Sequence, residues 1–212
     1  MTVPPSAPDA GEPAAGLLLL RGSPADVSAW ARRGVVPVTV GRLEGWTALL
    51  PRGHGSLAAP PYDRALPLLA ARPVPARLGP ALGFWSIGER GVITVQVGRR
   101  RRVRWVVWER EHGVVRPEGL LTATPGDLLR AAKGGSRAEL VEILSERHIA
   151  PERILAAAVA VLGLPGARLL VSPHERESLL PGAVERDPDE QQVRWFDDAV
   201  RDSVRLRQEL EA

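Results

Sequence analysis

The chain has 212 residues, with 28 Lys+Arg, 25 Asp+Glu, no Cys and a net charge of +3. The lack of Cys excludes a disulfide scaffold, a thiolate nucleophile, Cys-ligated zinc and iron–sulfur clusters, and 44% apolar content excludes wholesale disorder. The length suits one large domain, or one domain plus an appendage, with enough chain for a real core.

Only Lys133 is a lysine, so the pI near 10.4 reports arginine usage and not a large positive charge. Guanidinium stays protonated past pH 12, and a small arginine excess with almost no lysine moves the isoelectric point far up. This bias, with 21 Gly and 20 Pro, fits a GC-rich bacterial genome. The distribution is more informative. Residues 61–110 hold 10 basic and 3 acidic residues, and residues 165–212 hold 7 and 11. A basic centre and an acidic tail can attract each other.

In chain order, residues 1–15 carry Pro4, Pro5, Pro8 and Pro13 and read as a disordered leader without a secretory apolar core. Gly16–Leu20 reads as a short buried strand. Ser23-Pro24-Ala25-Asp26 supplies an N-cap, a proline at the first helical position and a carboxylate three residues past the cap, so a helix runs to about Arg33, where Gly34 stops it. Val35–Val40 is β-branched and reads as a strand, with Pro37 pointing to an edge or bulge. Gly45–Leu50 is a further strand. Seven prolines punctuate residues 51–83, and a helix over Tyr62–Ala71 is kinked or delayed by Pro67.

Residues 81–110 are the clearest β region. Ile93, Val95 and Val97 alternate with Thr94 and Gln96, and Val103, Trp105 and Val107 with Arg104, Val106 and Trp108, and period two in both arms predicts a hairpin. Pairing Val97 with Val103 puts Val95 opposite Trp105 and Ile93 opposite Val107, and leaves Arg99, Arg100 and Arg101 in the turn. From residue 120 the period changes. Thr124-Pro125-Gly126-Asp127 starts a helix that reaches Lys133, and Ser136–Glu139 is a capping box for the next. Pro151 opens a third helix that Gly163 and Pro165 end. Arg168–Ser172 reads as a possible short strand. Asp187–Glu190 caps a last helix over roughly 188–210, with the stripe Val193, Phe196, Val200 and Val204, flanked by Trp195, Ala199 and Leu206.

The strongest candidate site is the basic cluster Arg99, Arg100, Arg101, Arg102, Arg104 and Arg110 with Trp108. Such clusters clamp phosphates and stack bases. In the predicted register Trp108 shares the polar face with Arg102, Arg104 and Arg110. It is then either exposed and framed by arginines, or covered by the C-terminal helix, whose Asp197, Asp198 and Asp202 would pair with them. A helix-turn-helix over Ser136–Leu164 is rejected as a DNA reader, because Glu152–Leu162 is almost wholly apolar and a recognition helix needs polar side chains. His54, His112, His148 and His174 have no metal-ligand spacing. His54, flanked by Gly53 and Gly55, is the one histidine where a catalytic role deserves a test. No P-loop, dinucleotide fingerprint, nucleophile elbow or zincin motif is present.

The sequence therefore predicts an α+β fold: a small, mainly antiparallel sheet with packed helices and a long C-terminal amphipathic helix. The expected organisation is the leader at 1–15, one domain at 16–183 (sheet-rich to 118, helical after) and the helix at 184–212. The leading functional expectation is a non-catalytic cytoplasmic interaction or regulatory protein, with another protein or an anionic ligand as partner, no membrane and no cofactor or metal. The alternatives are a nucleic-acid-associated protein using the Arg99–Arg104 hairpin and an enzyme without a recognisable motif.

Overall fold

A computed structural model describes residues 14–96 and 102–211. Most of the leader and the turn Arg99–Arg101, with Val97, lie outside the described residues. The fold is α+β, as its sequence predicts. Eight strands form one antiparallel sheet: β1 (Gly16–Leu20), β2 (Val38–Leu43), β3 (Trp46–Pro51), β4 (Ala81–Ile87), β5 (Arg90–Gln96), β6 (Arg104–Glu109), β7 (Gly113–Val115) and β8 (Val184–Arg186), in the order β7-β6-β5-β4-β1-β3-β2-β8.

β1 sits mid-sheet, and all five of its residues are buried. That accounts for its unbroken apolar run: both faces of the sheet are covered there, so neither set of alternating side chains meets water. One face carries Leu17, Leu19, Leu50, Phe84, Ile93 and Trp108. It packs under α3 (Pro125–Ala132), α4 (Arg137–Ser145), α5 (Pro151–Val161) and α6 (Arg168–Val171). The other face carries Leu18, Leu20, Val38, Leu49, Trp85 and Val92, under α1 (Pro24–Ala31) and α2 (Ala65–Ala71). A short helix, α7 (Arg176–Leu179), precedes β8, which leads into α8 (Glu190–Glu211).

The helix starts follow their caps. The Ser23 hydroxyl accepts from the Asp26 amide. Thr124 and Asp127 form a reciprocal capping box, and the Ser136 hydroxyl accepts from the Glu139 amide. Pro67 is the third residue of α2, inside the first turn, where its missing amide has no carbonyl partner to lose.

Three expectations are corrected. The hairpin pairs Ile93 with Val106 and Val95 with Arg104, one residue away from the predicted register. β6 is apolar on both faces, with Val106 and Trp108 on one and Trp105 and Val107 on the other, so alternation alone could not choose between them. Trp108 is in consequence not exposed, and α4 and α5, not α8, cover it: it is 1% accessible, and its indole N–H donates to the Glu146 carbonyl at 3.0 Å. Arg168–Val171 is a helical turn, not a strand. It buries Leu169 and Leu170, neighbours in sequence, side by side against the core, which a strand's alternation would forbid.

Candidate functional site

Of the predicted basic cluster, the structure describes Arg102, Arg104, Trp108 and Arg110. Arg99, Arg100 and Arg101 lie outside the described residues. Arg102 is exposed. The Arg104 guanidinium donates to the Asp127 carboxylate at 3.1 Å. Arg110 lies 4.0 Å from Glu89, and Arg90 donates to Glu109 at 2.8 Å. Asp127 is buried, which by itself would raise its pKa. The Thr124 amide and hydroxyl and the Arg104 guanidinium outweigh that and hold it below the ordinary 3.8. Arg104 thus serves the start of α3, and Trp108 serves the core.

The acidic tail does not pair with Arg102, Arg104 or Arg110. β8 pairs with β2 at the sheet edge opposite β7, so α8 starts at the far side from the hairpin. Its first half is docked. The Asp189 amide donates to the Arg32 carbonyl at 2.8 Å, and the Ala59 amide donates to Asp197 at 3.1 Å. Val193 and Phe196 pack on the α1–α2 side, with the Phe196 ring edge-on to Tyr62 at 5.4 Å. Arg52 bridges Glu185 at 2.9 Å and Asp187 at 2.6 Å. The second half projects: residues 201–210 are all exposed. Leu210 is 88%, Leu206 56% and Trp195 64% accessible. At 100° per residue, Trp195, Ala199, Leu206 and Leu210 form one stripe along α8, roughly a quarter-turn from the docked face.

A cleft of ≈ 970 Å³ lies where five segments converge. The loop after β3 brings His54 and Asp63, and the start of α2 brings Arg64 and Leu66. The end of β4 brings Ser86, the start of α5 brings Glu152 and Arg153, and the end of α6 brings Leu170. The loop is pinned by Ser56 N–H to the Asp63 carbonyl at 2.7 Å and Ala65 N–H to the His54 carbonyl at 2.8 Å. Arg176 braces the wall at Ala15: its guanidinium donates to the Ala14 and Pro51 carbonyls, and burial lowers its pKa. Inside, the Ser86 hydroxyl donates to Glu152. His54 makes no hydrogen bond to Ser86, Asp63 or Glu152; the Ser86 hydroxyl donates to Glu152 and the Ser56 hydroxyl to the Tyr62 carbonyl.

Sequence reasoning flagged only His54 of this cleft. Its other polar residues come from separate elements at no recurring spacing, and only the fold brings them together. Among the described residues no cluster of three or more His, Asp or Glu could hold a metal ion, and no helix is long and apolar enough to cross a membrane. Comparison with protein-family models, curated proteins and solved structures finds no match to this chain.

Proposed function

We propose that the chain is a non-catalytic cytoplasmic interaction module that binds a second copy of itself through the projecting half of α8. The supporting observation is the helix divided in two. Residues up to Val200 contribute to the docked face, while Trp195, Leu206 and Leu210 stand in water. An isolated helical arm of about ten residues is marginal in water without tertiary support, and large apolar side chains aligned along it gain from being covered. The arm's charges favour a copy of itself over a strongly charged partner. Arg201, Arg205 and Arg207 balance Asp202, Glu209 and Glu211, so two arms carry no net repulsion, and a two-fold pair is the commonest closed assembly.

Less supports the nucleic-acid alternative, because Trp108 is buried and Arg104 is engaged by Asp127. Sedimentation velocity over a concentration series tests the proposal. The full chain is expected to dimerise, and Leu206→Glu with Leu210→Glu to render it monomeric while it remains folded by far-UV circular dichroism, with any drop in thermal midpoint limited to the loss of dimer stabilisation. A wild-type chain that stays monomeric throughout, or a double variant that dimerises equally well, contradicts it.

A further inference from the structure

The cleft between the α2 and α5 starts holds charges of both signs that do not neutralise one another. Arg64 and Asp63 come from one wall, and Arg153 and Glu152 from the other. None of the four forms an ion pair with another, although each is within the same ≈ 970 Å³ space. Elsewhere on the surface, arginines and carboxylates brought close together do pair, as with Arg52, Arg90 and Arg168. Between the charged walls Pro67, Ile87 and Val171 present apolar surface beside the polar groups of His54, Ser56 and Ser86, over the buried Leu66 and Leu170. Ser86 donates to Glu152 and fixes that carboxylate at the inner wall.

We propose that this cleft binds a short apolar peptide with free termini, a zwitterion whose ammonium group meets Glu152 and Asp63 and whose carboxylate meets Arg64 and Arg153. Cleft charges that sum to zero give no advantage to a simple anion or cation: either would meet repulsion from half the site as it met attraction from the other half. A ligand carrying both signs satisfies both. A guanidinium offers a carboxylate a two-pronged donor, and the apolar floor takes side chains between the two ends. A cleft of this size lies at the upper end of the usual small-ligand range, roughly 300–1,000 Å³. That suits two or three residues better than a single amino acid. The site is independent of the projecting half of α8.

Calorimetric titration of the full chain with the tripeptide Leu-Ala-Leu tests this. Parallel titrations use the same peptide acetylated at its N-terminus, the same peptide amidated at its C-terminus, and inorganic phosphate. Saturable binding is expected for the free-ended peptide, weakened at least about fivefold by either cap and by Arg153→Ala or Arg64→Ala, both exposed positions whose loss leaves the core intact. Glu152→Gln is expected to remove the penalty for N-acetylation specifically. No saturation by the free peptide at about 1 mM, a smaller loss on capping, or phosphate that binds as tightly as the peptide overturns the proposal.

Discussion

Two residues show how far side-chain identity dictates local structure. Gly83 on β4 pairs with Thr94 on β5, and the Trp85 indole folds back over it to donate to the Thr94 hydroxyl at 3.0 Å. A Cβ at position 83 would stand 2.4 Å from both the Thr94 hydroxyl and the Trp85 nitrogen. Gly83→Ala is therefore expected to break that buried bond and cost about 1–3 kcal/mol in urea unfolding. Asp127 gives a pH-dependent test. Its carboxyl is held below its ordinary value in the fold, so its contribution is full above the unfolded pKa of about 4 and is lost as pH falls through the lower native value. Asp127→Asn is expected to be less stable than wild type at neutral pH, with the gap closing below about pH 4. A gap that persists undiminished into strong acid would contradict this. The Thr124–Asp127 cap was legible in the sequence because capping is local chemistry between residues three apart. The pairing of Asp127 with Arg104, 23 residues away, carries no local signal, and neither does the burial of Trp108.

At the level of elements, those set by local signals agree with the fold and those set by tertiary choice diverge. α1, α3, α4 and α5 begin within a residue of their capping signals, because caps, Pro at the first turn and terminal Gly act on the backbone directly. The β5–β6 register depends on which of two apolar faces of β6 meets α4 and α5, a decision made by packing. Arg168–Val171 has a β-branched and aliphatic composition, yet coils to seat Leu169 and Leu170 together. α8 is the element with the sharpest test. Removing residues 201–212 is expected to leave the thermal midpoint at low concentration, where the chain is monomeric, within about 2 °C of wild type, since residues 201–210 are all exposed. Removing everything from Asp187 deletes the Val193 and Phe196 contacts and the Asp189 and Asp197 bonds. That truncation is expected to lower the midpoint by about 5–15 °C. Equal effects from the two truncations would contradict a helix that is half docked and half free.

At the scale of the molecule, the segregated charge of the sequence resolves into two separate regions. The basic hairpin lies towards the β7 side of the sheet and the acidic β8–α8 segment at the other edge, and each is tied to its own neighbours: Arg104 to Asp127, and Glu185 and Asp187 to Arg52. Among the described residues, no ion pair joins Arg102, Arg104 or Arg110 to α8, which docks through Val193, Phe196 and Asp197 instead. What remains unspent is the apolar arm of α8 and the unpaired charges of the cleft. Because the sequence contains no Cys, a single label can be placed on the arm without background. Gln208 lies on the side of α8 away from the Trp195–Leu210 stripe, about 170° round the helix, so Gln208→Cys labels the arm and leaves that stripe intact. Pulsed dipolar spectroscopy on the spin-labelled full chain is expected to show a defined coupling between two labels, abolished by dilution with unlabelled protein and by Leu206→Glu with Leu210→Glu. An uncoupled signal at concentrations where the chain is fully folded would contradict self-association through α8.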